Sequence, residues 1–265
     1  MPFPEFARVI YNKNPLDNVV CQLKFPPILK IDSETPSQFQ EAIRSTYPRF
    51  EATEGPEIQM PKELAKRLPR EVLTAMLSHI SGKNYSFTTR DRSWKVNITR
   101  NFLALSTAKY ERWEDFKERL RIPLESLNQI YGPAFFTRVG LRYQNVIVRS
   151  ELGIDNHPWS ALIQPFVSGV LNETPMCESV ITTESKIEIQ LADNQSIVRV
   201  LHGFVESINN GEICYQIDSD FFTEQEVEVS DAIDKLDYFN RRSRRLFRWF
   251  ITEALHNAME PTPIT

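Results

Sequence analysis

The chain has 265 residues, 41% of them hydrophobic and 25% charged, with a formal net charge of −4. That length can bury a sizeable core, in one large domain or in two intimate halves. The mild acidic balance excludes a whole-molecule attraction to nucleic acid and leaves only local basic patches to consider.

The opening "MPFPEFARVIYNKNPL" carries charges early and has no apolar stretch of signal-peptide length. The first strand expected is "NVVCQLKF", in which Val19, Cys21, Leu23 and Phe25 share one face. Pro26 and Pro27 then stop the ladder, because proline has no amide hydrogen to donate. A helix follows, with Thr35 and Gln38 placed as a capping box, Pro36 in the first turn and Pro48 as the stop. "PKELAKRLPREVLTAMLSHISG" (61–82) has helical composition interrupted by Pro69 and ended by Gly82; its role within 56–83 carries no obvious ligand.

From Tyr85 the pattern returns to strands, three of them, with "RDRS" and "TRN" as turns. "YERWEDFKERLRIPLESLNQIYG" is helical, with a core stripe through Trp113, Phe116, Leu120, Leu124, Leu127 and Tyr131, a kink at Pro123 and a stop at Gly132. "AFFTRVGLRYQNVI" is a strand, and "WSALIQPFVSGVL" a short helix broken near Pro165. Three more strands follow, "SKIEIQL", "SIVRVLHGFV" and "EICYQIDSDFF", with turns at 193–194 and 209–211. A long helix from about Ser230 to Met259 ends the pass, buried through Leu236, Phe239, Phe247, Phe250, Ile251, Ala254 and Ala258. The expected class is α+β: mainly antiparallel sheet covered by long helices. Residues 1–150 and 151–265 are expected as two α+β halves packed together as one globular unit, and the echo of consecutive strands running into one long helix hints at duplication without a residue-level repeat.

Cys21, Cys177 and Cys214 are too sparse for a disulfide framework, and no apolar run reaches membrane-spanning length. A reducing cytoplasm is therefore expected. "PLDNVVCQLKFPPILKI", "YERWEDF", "RVGLRYQN" and "LFRWFITEALHNAMEP" together resemble a sporadically distributed family of uncharacterised prokaryotic proteins of about this length. The resemblance implies a prokaryotic source and, through the sporadic distribution, a gene that moves as defence and toxin–antitoxin genes do.

Three clusters carry candidate chemistry. Arg138 and Arg142 share a strand face with Gly140 and Gln144, roughly 13 Å apart along the strand. Each can fork onto a phosphate or carboxylate, making a small anion-binding face, or each can pair with an acid from a neighbouring strand. On the last helix Arg241, Arg244, Arg245 and Arg248 form a basic ridge near Trp249. The ridge suits a protein partner or nucleic acid, or else a solvated face salted by Asp231, Asp234 and Asp237. Asp218 and Asp220 share a strand face and could hold Mg²⁺ or act as acid and base, yet a lone D-x-D is common. His79, His157, His202 and His256 have no metal-ligand spacing, and His202 alone reads as a candidate base. There is no nucleophile elbow, phosphate-cradling glycine loop or H-E-x-x-H. No catalytic residue, metal ligand or cofactor is assigned on this basis.

Two functions are expected from these features. The first is a non-catalytic binding or regulatory protein, a cytoplasmic partner or antitoxin-like subunit, with a protein partner or a homodimer through the last helix and neither a membrane nor, by preference, nucleic acid. The second is an enzyme or sensor acting on a phosphorylated small molecule or nucleotide, through Arg138 and Arg142 with Asp218, Asp220 or His202.

Overall fold

The computed structural model describes residues 3–54, 83–173, 175–207 and 210–264. The helical expectation for 61–82, the stop at Gly82 and His79 lie outside the described residues.

The chain enters through β1 (Val9–Tyr11) and then β2 (Leu16–Lys24), where Val19, Cys21 and Leu23 are fully buried as their alternation dictates. Two short helices, α1 (Leu29–Ser33) and α2 (Ser37–Ile43), lead to β3 (Arg49–Glu54). Then come β4 (Lys83–Thr88), β5 (Trp94–Thr99), β6 (Phe102–Thr107) and the long α3 (Trp113–Tyr131). The second run starts with β7 (Arg138–Ile147) and the one-turn helices α4 (Arg149–Leu152), α5 (Trp159–Leu162) and α6 (Pro165–Ser168). It continues with β8 (Glu184–Gln190), β9 (Ser196–Glu206), β10 (Ile213–Thr223), the long α7 (Ala232–Phe250), α8 (Glu253–Ala258) and β11 (Pro261–Pro263).

Nine strands form one sheet in the order β3-β4-β5-β6-β2-β7-β10-β9-β8, and every described pairing is antiparallel. The fold is therefore α+β with a large antiparallel sheet. One register row crosses all nine strands through Phe50, Phe87, Val96, Leu105, Cys21, Leu141, Phe221, Val198 and Ile189. Seven of these nine side chains are wholly buried, Phe50 and Ile189 at the two ends being the exceptions. Helix α7 packs on β7 and β10, and α3 on β6 and α2. The strips β1 and β11 pair separately, in register Val9↔Pro263 to Tyr11↔Pro261, and clasp the two ends of the chain together.

Two local expectations change. The capping box before α2 does not form: Pro36 is the N-cap, and the Thr35 carbonyl accepts a tight bond from the Ser37 amide at 2.7 Å. Pro123 lies inside α3, as the helical stripe on both sides of it implies. A helical proline leaves the carbonyl four residues back without its amide donor. Here that carbonyl is Arg119 O, and the buried Tyr47 hydroxyl donates to it at 3.1 Å. Burial pushes the Tyr47 phenol up to about 12, so it stays a donor. Gly132 then closes the helix in the left-handed conformation, φ 56°.

The expected helix from Ser230 to Met259 is two helices. Ile251 is extended (φ −104°, ψ 154°) and bridges Ile163, while the Thr252 hydroxyl donates to Ala161 O at 2.7 Å. Nothing in the local sequence demands this break; hydrogen bonds to the α5 segment impose it. The turn of phase leaves Ala254 exposed and buries Leu255 and Met259.

Tyr47→Phe keeps the ring and removes the hydroxyl that serves Arg119 O. A buried carbonyl left alone costs about 1–3 kcal/mol. Urea unfolding of this variant should show that loss with an unchanged m-value.

Candidate functional site

The anion face expected on β7 is closed by the protein's own acids. Arg138 forks onto Asp220 of β10 at 2.8 and 3.1 Å, reaches Gln22 at 3.2 Å and lies over the Phe222 ring. Arg142 forks onto Asp218, with Nε 2.8 Å from Oδ1. In the strand register Asp220 stands directly opposite Arg142, yet each arginine reaches diagonally rather than across. Gly140 is part of the device, because a Cβ there would meet the Arg138 guanidinium at 2.2 Å. The glycine gives room for that side chain to fold back along the strand. Asp218 and Asp220 thus serve as counterions, and among the described residues no group of three or more His, Cys, Asp or Glu side chains is placed to hold a metal ion.

His202 is buried on the helix-facing side of β9, its Nδ1 2.9 Å from the Tyr215 hydroxyl and its ring edge-on to Phe250. Burial lowers its pKa and keeps it neutral. His256 is lowered too, by burial and then by the Arg248 charge; its Nδ1 stands 2.8 Å from the Tyr11 hydroxyl.

The last-helix arginines divide. Arg241 is exposed. Asp237 does not salt the ridge but takes Lys117 at 3.2 Å and the Trp113 indole N–H. Arg244, Arg245 and Arg248 turn toward a cavity of about 170 Å³, bounded by α7, residues 6–16 and the start of α3. One water needs only about 10–15 Å³. The sheet supplies Tyr143, Asn145 and Ser219 to this space; α7 supplies Asn240 and Ser243. Tyr143, buried, donates from its hydroxyl to Asn240 Oδ1 at 3.0 Å and stands edge-on to Tyr110 at 5.7 Å. Polar groups therefore interrupt the apolar layer where β7 and β10 pass under α7.

Five arginines and one glutamate, Glu111, are the charged groups of the lining, in a molecule whose formal charge is −4. Four of the arginines have carboxylate partners. Arg8 Nη2 lies 2.7 Å from both Glu114 oxygens, Arg112 Nε 2.8 Å from Asp115, and Arg245 Nη2 2.6 Å from Glu5; Arg248 bonds Glu253. Arg244 is different. Its Nε is buried without a hydrogen-bond partner, and no ion pair to it is formed among the described residues. Burial, and then the Arg8 charge, hold its pKa below the usual arginine value. A half-buried guanidinium is costly to leave unpaired. The cavity beside it has room for water or for an anion.

The ridge was readable as a row of arginines, though not as one wall of a cavity. Tyr110, Tyr143, Asn240 and Ser243 were missed altogether. Their one local signal was polarity at positions facing inward: Asn240 and Ser243 fall on the buried stripe of α7, and Tyr143 on the buried face of β7.

The two histidines give the fold a pH dependence of defined sign. Their folded pKa values lie below the unfolded value of about 6.5, so the unfolded chain binds more protons as pH falls. Their contribution is complete above about pH 6.5 and is lost as pH drops through the lowered values. Urea midpoints measured between about pH 7 and pH 5 should fall, and His202→Gln should flatten the slope.

No protein-family model matches this chain, and no curated protein sequence matches it.

Proposed function

We propose that this protein is a non-catalytic, ligand-responsive binding protein, and that its cavity takes a compact organic anion bearing a phosphate or carboxylate group. The observation that carries the reading is Arg244: a buried Nε without a partner, in a space ringed by guanidinium groups. The surroundings suit such a ligand. Arg8, Arg112, Arg245 and Arg248 hold their own carboxylates, which leaves Arg244 as the lining arginine without one among the described residues, while Tyr143, Asn240, Ser243 and Ser219 offer neutral hydrogen-bonding groups around it. Tyr110 and Phe247 give apolar surface for the body of the molecule. The only described acid in the lining is Glu111, and no nucleophile–base pair faces the space, which favours binding over turnover.

The sheet order supports a two-half organisation in the same reading. β2, short helices, β3–β6 and α3 are followed by β7, short helices, β8–β10 and α7, arranged about the β2–β7 pair. The seam then falls between β2 and β7, so β7 belongs with the second half although it precedes residue 150. Each half contributes a long helix, and the cavity lies where the start of α3 and the body of α7 come together. In a regulatory protein, a ligand at that seam can bias how the halves sit. The family resemblance supports a prokaryotic cytoplasm and a mobile defence locus as the setting, with an antitoxin-like role toward a protein partner.

Thermal-shift titration with phosphate monoesters, nucleotides and dicarboxylates tests the site. A ligand at a hundred times its Kd adds about 2.7 kcal/mol, which raises Tm by roughly 5–10 °C in a chain of this size. Arg244→Met should abolish that rise. The same variant without ligand should melt at or above the wild-type temperature, because it removes an unpaired buried charge. A clear loss of stability in ligand-free Arg244→Met, or an undiminished ligand shift, would mean that the guanidinium holds the fold and not a ligand.

A further inference from the structure

β8 ends the sheet, and its outer edge has no strand beside it among the described residues. Which of its backbone groups face outward follows from the pairing with β9. Phe204 N donates to Thr183 O at 2.9 Å, and Leu191 N to Ser196 O at 2.8 Å. In an antiparallel ladder hydrogen-bonded pairs alternate with pairs that are not. Residues 185, 187 and 189 therefore spend their amides and carbonyls on β9, and Glu184, Lys186, Glu188 and Gln190 present theirs to the open side.

From this arrangement we infer that β8 is a self-association edge: a second copy of the chain adds its own β8 antiparallel, with the two-fold axis passing between the two Ile187 residues. Lys186 then stands opposite Glu188 of the second copy, and Glu188 opposite its Lys186; Glu184 stands opposite Gln190 and Gln190 opposite Glu184. All four of these pairings fall on residues whose backbone groups face outward, so each closes a ring of two hydrogen bonds. The dyad pair, Ile187 with its symmetry mate, occupies a close, non-bonded position and covers side chains that are 37% exposed in one copy. A two-fold axis requires this self-complementarity, residue i meeting j while j meets i.

Charge selects the register. Moving the axis by one residue toward the start of the strand sets Lys186 against Lys186 and Glu184 against Glu188. Moving it the other way sets Glu188 against Glu188. Like charges directly opposite one another disfavour pairing. Charged side chains on an open edge ordinarily deter association. In "ESKIEIQ" a shift of the axis by one residue either way is repulsive; an axis through Ser185 again sets Lys186 opposite Glu184 but keeps only two outward-facing pairings inside the strand, against four for the axis through Ile187. Glu188 already lies 2.7 Å from Arg199 and 3.9 Å from Lys186, so the new pair extends an existing row of alternating sign on one sheet face. Ile181, 89% exposed and three residues before the strand, adds apolar surface beside the same edge. The dimer is an open sheet continued from nine strands through the axis into nine more.

Sedimentation velocity on the full chain, from about 1 to about 200 µM, tests this arrangement. The wild type should move from monomer to dimer across that range. Lys186→Glu alone and Glu188→Lys alone each set like charges opposite one another twice, and each should weaken the dimer at least about tenfold. The double variant Lys186→Glu, Glu188→Lys restores opposite charges across the axis and should return the dissociation constant to within about threefold of wild type. Both side chains are exposed, and melting curves recorded beside each run verify folding. A wild type that stays monomeric, a dimer indifferent to both single reversals, or a folded double variant that fails to reassociate overturns the inference. None of these outcomes bears on the cavity, whose ligand shift is read separately.

Discussion

A single register row holds this molecule together. From Phe50 at one edge to Ile189 at the other, each of nine strands places one apolar side chain in line with its neighbours, and the helices lie on that face. Side chains alternate with period two, so a slip of one residue in any pairing would send a strand's buried set to the polar face. The eight pairings are mutually constraining for that reason. Cys21 sits near the middle of the row, where β2 joins the first group of strands to β7, and its buried thiol is held well above the usual cysteine range. It acts there as a small hydrophobe, not a reactive group.

The opposite face of the sheet obeys the same periodicity with different chemistry. Arg138, Arg142, Asp218 and Asp220 alternate with the core residues of β7 and β10 and neutralise one another in diagonal pairs. The helix-facing side departs from an apolar pattern at scattered positions such as His202, and most densely at one place. Around Tyr143, Asn240, Ser243 and Arg244 the layer between sheet and helix is polar and incompletely filled. Core positions that break a local rule without a structural gain are where function is expected, because stability is being given up there. The Tyr143–Asn240 hydrogen bond shows that part of this polarity is satisfied within the protein; the Arg244 Nε has no protein partner among the described residues.

The long strands and both long helices could be read directly, since periodicity is local: the stripe from Trp113 to Leu127 is buried throughout, as is the alternation in β2, β7 and β10. β1 and β11 could not, because three-residue strands that pair across the length of the chain carry no period to detect. β3 was also missed; "RFEATE" alternates, but weakly, with small and acidic residues. The break at Ile251 left no trace in composition, since its cause is the α5 segment some ninety residues earlier in sequence. The cavity was illegible for the same reason. Its walls come from residues near 8, 110, 143, 219 and 244, and no spacing rule connects them. The arginine pairs of β7 were a middle case: the sequence named both the arginines and the aspartates, and only the register joined them.

The clasp of β1 on β11 has a consequence for biogenesis. Both the head of the chain, from Phe6 to Leu16, and Ile264 border the cavity. During translation the first of these segments leaves the ribosome roughly 250 residues ahead of the other, on the order of tens of seconds at ordinary elongation rates. Until residues 261–263 have emerged, β1 has no strand to zip against and the space above Tyr143 stands open on that side. Closure of the pocket on that side thus waits for residues 261–264, and a nascent chain halted before they emerge would carry a finished sheet beneath an unfinished wall.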